Sequence, residues 1–322
     1  MKIAVVGTGG VGGYYGALLA RAGHDVSFVA RGSHLRAIQD QGLQVQSPFG
    51  DFQIKPARAT DDPAQVGMVD LVLFCTKTYS TDEAADQARP LVGPSTTVLS
   101  LQNGVDAAER IGSTLGSEHI IAGATWLSSV IAAPGVIRQL SDARRVVIGE
   151  PDGRITARVQ AAYDAFNQTG VTAELSPNIT GVLWEKLVFI AAIAGFGSLT
   201  RLPVGAYRAV PETRTWLLRL MQETVAVAHA HGVKLEGNAA QRALAYLDNA
   251  RPSIKASMQL DVEAGRPSEL DSLIGVIGRK GRQRGIPTPV ADMIYASLLP
   301  GETLAREALG PAGQVPTPTM PS

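Results

Sequence analysis

The chain opens on an alternation of apolar runs and helix-period stretches. Residues 2–6 (KIAVV) read as a short strand, and 11–20 continue as an amphipathic helix. A second apolar run, DVSFVA at 25–30, leads into a helical stretch at 35–41 and an extended excursion over 42–54 with turns at Pro48 and Gly50. Asp61, Asp62 and Pro63 mark a turn or helix start. The run VDLVLFC at 69–75 is almost continuously apolar, as expected of a parallel strand covered on both faces. A helix at 81–91, a strand at 97–101, strands within 120–129, 136–140 and 145–148, a helix at 154–168 and a strand at 171–173 complete this half. The alternation predicts a doubly wound α/β domain of the Rossmann type over residues 1–175.

At Ser176, Pro177 and Asn178 the pattern changes. Helical periodicity dominates at 179–194, 211–231, 238–249, 253–263, 269–284 and 288–298, punctuated by Pro203, Pro211, Pro252, Pro267 and Pro287. This predicts an all-helical second domain over 176–310, without an internal repeat. The remaining residues, 311–322, are too rich in proline and polar groups to pack unaided and are expected to be disordered.

Composition narrows the function. Hydrophobic residues make up 45% of the 322 and aromatics 5%, so the core is expected to be Ala, Val, Leu and Ile. A formal net charge of zero gives no general case for nucleic-acid binding, while leaving room for a local basic pocket for a small anion. The lone Cys75 lies in an apolar run, reads as a buried small hydrophobe, and suits a reducing cytoplasm. The most apolar long segment, 183–199, is interrupted by Glu185 and Lys186 and is short for a membrane span, so no membrane role is expected. The apolar helices of the second half leave a homodimer open.

The candidate chemistry begins where the first strand ends. Gly7, Gly9 and Gly12 stand in G-x-G-x-x-G spacing between a strand and a helix, the context a dinucleotide-binding loop requires. Gly7 would allow the tight turn, Gly9 the approach of the pyrophosphate and Gly12 the close packing of helix on sheet. The amides of Gly7, Thr8, Gly9, Gly10, Val11 and Gly12 would hold the phosphates at the helix start. After the second strand, where an acidic residue often receives a free ribose 2′-hydroxyl, the chain has Arg31, with Ser33 and His34 close by. A guanidinium suits a 2′-phosphate, which favours NADPH over NADH. Lys77, at the end of the central strand, reads either as a solvated strand-end lysine or as a group facing the cofactor. Asn103, in QNG at the end of the next strand, is either a turn residue or an amide for nicotinamide or substrate.

In the helical half, Lys186 is a charge on a helix otherwise set up for burial. It reads either as a boundary lysine reaching water or as a proton donor with a pKa lowered by desolvation. The stretch 257–269 is mostly polar and expected to be solvated, and Glu269 sits at an apparent helix start. His229 and His231, two apart on a helix, face different directions and make a poor metal site.

Together these segments resemble the 2-dehydropantoate 2-reductase (ketopantoate reductase) family across nearly the whole chain. The matching pieces are GTGGVGGYYG with Arg31, VLFCTKTY with Lys77, LQNGV with Asn103, NITGVLWEKL with Lys186, and SIKASMQLDVEAGRPSELDSLIG with Ser257 and Glu269. The resemblance implies a cytoplasmic enzyme that reduces 2-dehydropantoate to (R)-pantoate with NADPH, a step toward pantothenate and coenzyme A. It implies a Rossmann domain and a helical domain with the active site in the cleft between them. It also implies that Lys186 donates the proton, Glu269 positions the substrate oxygen, Asn103 lines the nicotinamide and substrate site, Ser257 meets the substrate carboxylate, and Lys77 lies near the cofactor. One departure stands out. Where family members often carry asparagines one and two turns after the lysine, this chain has Ile190 and Ala194. Losing two amides weakens discrimination for a hydroxylated substrate and opens the alternative of a more apolar 2-keto acid or its lactone.

Overall fold

The computed structural model describes residues 1–308, so the tail expected to be disordered lies outside the described residues. Strands run in chain order as β1 (Lys2–Val6), β2 (Asp25–Val29), β3 (Leu43–Gln46), β4 (Phe52–Ile54), β5 (Arg58–Thr60), β6 (Leu71–Phe74), β7 (Thr97–Ser100), β8 (Ile120–Trp126), β9 (Ser129–Ala133), β10 (Val136–Gln139), β11 (Arg145–Gly149) and β12 (Thr172–Leu175). The helices among them are α1 (Gly10–Arg21), α2 (Gly32–Gln41), α3 (Thr81–Ala88), α4 (Ala107–Leu115) and α5 (Ala157–Asn167). Then follow α6 (Ile179–Thr200), α7 (Val204–Arg208), α8 (Pro211–Ala230), α9 (Ala239–Asn249), α10 (Ser257–Glu263), α11 (Val276–Arg284) and α12 (Pro289–Ala308).

Two compact units result, 1–183 and 184 onward. The contact division falls inside α6, whose first turn packs on the sheet. Ile179, Val182 and Leu183 close over Ala122 of β8 and Val147 of β11.

In the first unit an eight-stranded sheet has the order β12-β11-β8-β7-β6-β1-β2-β5. Pairing is parallel throughout except between β8 and β11. The order reverses between β1 and β6, and the carboxyl ends of strands at such a switch point form a crevice for a ligand. A second, four-stranded sheet, β4-β3-β10-β9, was not foreseen in the sequence. It covers a second side of α1, which reads in the sequence as an amphipathic helix. A Cβ on Gly12 would lie 2.2 Å from the Gly7 carbonyl oxygen on the main-sheet side, and one on Gly10 would lie 2.1 Å from the Ser129 carbonyl oxygen of β9. The helix is thus clamped between two sheets, which is why Tyr14, Tyr15, Leu18 and Leu19 are all buried.

The second unit is helical. By length and composition alone α6 would suffice to cross a membrane, yet 61% of its apolar window is buried within the protein, as in a core helix. Polar residues between 257 and 269 are not the solvated stretch expected. Gln259, Asp261, Ser268 and Glu269 are buried; Gln259 Nε2 donates to the Leu202 carbonyl at 3.0 Å, and Asp261 pairs with Arg266 within the same stretch at 2.9 Å.

Candidate active site

The structure builds two clusters of candidate residues, one in each unit. In the first, Gly7 ends β1 with φ +91°, and a Cβ there would lie 2.6 Å from the Thr76 amide nitrogen, just after β6. The switch point is therefore closed by glycine against backbone. Gly9 precedes α1 with no side-chain cap on the helix start, and nothing lies within 4 Å of where its Cβ would stand. Open space in front of amides that no side chain caps fits a phosphate group. Thr8 contributes differently from its neighbours: its hydroxyl donates to the Val29 carbonyl at 2.9 Å, bracing the loop against β2.

Lys77 follows β6 and is exposed, and Asn103 follows β7 and is partly buried. Between them sits a residue that sequence reasoning passed over. Gln102 is 5% exposed and its Nε2 donates to the Thr76 carbonyl at 2.9 Å and the Thr81 hydroxyl at 3.0 Å. Its Oε1 is buried without a hydrogen-bond partner in the protein. An unpaired buried acceptor costs about 1–3 kcal/mol, so this atom fits a site completed by a ligand. Its position beside Asn103 at a strand's carboxyl end was the available signal.

Arg31 stands at the end of β2, at the start of α2, as its sequence position suggested. It is not idle: its guanidinium pairs with Glu83 at 3.1 Å and also bonds Gln87. Both charged partners are more than half exposed, and such pairs are worth about 0–1 kcal/mol. A phosphate dianion that accepts two charge-assisted hydrogen bonds would displace Glu83. His34 is committed elsewhere, since its Nδ1 accepts the Gly135 amide at 3.0 Å and so ties α2 to the β9–β10 turn.

The second cluster lies on α6 and the segment before α11. Adjacent residues of α6 diverge: Glu185 turns outward to pair with Arg242 at 2.7 Å, while Lys186 is partly buried. Desolvation lowers the Lys186 pKa from its ordinary 10.5 to about 8, and the negative charge of Glu269 acts in the opposite direction. Glu269 is 4% exposed, so the lysine has a fixed anionic neighbour inside the protein. Ser257 is the first residue of α10 and is exposed; two residues on, the Gln259 side chain reaches α6, where a Cβ on Gly197 would meet it. Ile190 is partly exposed, whereas Ala194 is 1% exposed.

A glycine loop at the switch point of a doubly wound sheet places the first unit in the dinucleotide-binding class. The chain belongs to the ketopantoate reductase PanE/ApbA family, whose N-terminal model matches residues 3–153 and whose C-terminal model matches 178–301. It is 32% identical over 317 residues to the 2-dehydropantoate 2-reductase of Mesorhizobium japonicum, covering 92% of this chain and 96% of that protein. Among solved structures, a PanE/ApbA family ketopantoate reductase from Ralstonia eutropha is 35% identical with a TM-score of 0.87, covering 95% of this chain and all of that one. A 2-dehydropantoate 2-reductase from Geobacter metallireducens is 33% identical with a TM-score of 0.86, covering 96% of this chain and 100% of that chain.

Proposed function

We propose that this protein is a cytoplasmic NADPH-dependent reductase that converts 2-dehydropantoate to (R)-pantoate, a reaction on the route to pantothenate. The observation that carries the reading is the match of both halves of the chain to the ketopantoate reductase family, with the half-buried Lys186 near the buried Glu269, its pKa lowered to about 8 by desolvation, as its supporting chemistry. NADPH supplies the hydride that adds to C2 of the keto acid. Lys186 Nζ gives its proton to the C2 oxygen as negative charge develops there, and its own positive charge stabilises that oxygen. Glu269 orients the substrate oxygen and keeps Lys186 protonated; Ser257 receives the carboxylate. Asn103 and Lys77 line the nicotinamide end, and the amides from Gly7 to Gly12 hold the pyrophosphate.

Arg31 receives the 2′-phosphate in this reading. Arg31→Ala is expected to weaken NADPH by about 1.5–3 kcal/mol, roughly ten- to a hundredfold, with NADH affinity unchanged. Fluorescence titration of both nucleotides checks this, and equal losses for the two would remove Arg31 from the 2′-site.

A second reading rests on Ile190. An isoleucine where an amide would bind a substrate hydroxyl favours a more apolar 2-keto acid. NADPH oxidation with 2-dehydropantoate beside branched and aromatic 2-keto acids tests both. A kcat/KM highest for 2-dehydropantoate supports the first reading, and a preference for an apolar acid supports the second. Failure to oxidise NADPH with any of them overturns the reductase assignment.

A further inference from the structure

Glu302 lies on α12, 6% exposed, and belongs to no group yet given a role. Both of its carboxylate oxygens accept the Ser268 amide, at 3.1 and 2.9 Å, and Oε2 also accepts the Ser268 hydroxyl at 2.5 Å. Arg306, one turn further along α12, donates to Oε1 at 2.7 Å and supplies the compensating charge. Ser268 Oγ in turn accepts the Leu270 amide at 3.3 Å. Residues 268 and 270 are thereby fastened on either side of Glu269. Beyond them the Glu269 carbonyl accepts the amides of Ser272 and Leu273 at 3.1 and 3.0 Å, and residues 271–275 form a π-helical turn, a form often found at functional sites.

We propose that Glu302 is a positioning residue for Glu269: it pins the turn that aims the Glu269 carboxylate, and so sets how the substrate oxygen is held. The proposal rests on the role given to Glu269 above. Arg306 supplies a charge to Glu302, and Glu269 acts electrostatically on Lys186. A pin of this kind acts on substrate binding and turnover and leaves the dinucleotide alone. Glu302→Gln keeps the shape and one acceptor but loses the charge that holds both Ser268 donors.

The test is a double-mutant cycle on the full chain, with steady-state kinetics at saturating NADPH and the preferred 2-keto acid. Glu302→Gln is expected to lower kcat/KM by about ten- to a hundredfold, with the larger share in KM. NADPH affinity, read by fluorescence titration, should not move. Glu269→Gln combined with Glu302→Gln should be no worse than Glu269→Gln alone, because the pin has nothing left to aim. Ser268→Ala, which removes only the hydroxyl bridge, should show the same non-additivity with a smaller loss, and it serves if Glu302→Gln fails to fold. Losses that multiply in the double variant, or a parallel loss of NADPH affinity, overturn the positioning role while leaving that of Glu269 intact. An unchanged kcat/KM in Glu269→Gln alone overturns the role of Glu269 and this proposal with it.

Discussion

Lys186→Ala is expected to lower kcat for keto-acid reduction by about 10²–10⁴-fold, with NADPH still bound. A proton donor that also neutralises developing charge acts chiefly in the transition state, so the loss belongs in kcat more than in KM. The pH dependence gives the assignment a second, independent check. Because the ammonium is the working form, reductive kcat/KM should fall as pH rises through about 8. Glu269→Gln removes the charge that supports protonation and should move that fall to lower pH. The same group also sets a sign for stability. Its folded pKa, about 8, lies below the ordinary 10.5, so the folded chain sheds this proton before the unfolded chain does. The burial penalty is present in full below pH 8 and relieved as pH rises toward 10.5, so native stability gains across that interval relative to Lys186→Ala. Near-native turnover in Lys186→Ala, or a reductive profile flat through pH 8, would remove the lysine from the chemistry.

What the sequence disclosed was governed by range. β1, β2, β6 and β7 are short apolar runs whose burial follows from their own composition, and their ends placed Gly7, Arg31, Lys77 and Asn103 near the switch point before any coordinates. Lys186 was visible for the same reason, as a charge set in an otherwise apolar helix. The second sheet was hidden because its central parallel pairing joins residues 44–46 to residues 136–138, a contact no local pattern encodes. α4 was hidden by Gly112, Ser113 and Thr114, weak helix formers whose helix is held by packing Ile111 and Leu115 into the core. The polar stretch around Ser268 read as solvated because its partner is remote. Glu302 lies beyond the 288–298 helix that the periodicity predicted, on a helix that continues through Pro300. The ion pair that occupies Arg31 likewise joins α2 to α3, so the arginine's placement was legible and its partner was not.

Gly9 and Gly12 are expected to separate binding from folding. At Gly12 an added Cβ would stand 2.2 Å from the Gly7 carbonyl oxygen, 2.9 Å from Cys75 Cβ and 3.0 Å from Val5 Cγ1. The nearest of these is backbone in a tight turn and cannot yield, so helix and sheet must part. Gly12→Ala should therefore cost about 1–3 kcal/mol or more and lower the melting temperature by about 2–4 °C for each kcal/mol. At Gly9 the backbone is extended, at φ −83° and ψ −159°, and the position of a Cβ is open. Alanine is a poorer N-cap than glycine by about 0.5–1 kcal/mol, so the melting temperature of the unliganded protein should fall by no more than a few degrees. The same methyl group would occupy the space through which the pyrophosphate approaches the amides of α1. Loss of even one charge-assisted hydrogen bond there weakens NADPH about ten- to a hundredfold. Melting curves with and without NADPH read both effects in one experiment: Gly12→Ala melts early in either state but keeps its gain from the nucleotide, while Gly9→Ala melts within a few degrees of the native protein and gains little from it. Native-like stabilisation of Gly9→Ala by NADPH would move the phosphate site away from this loop.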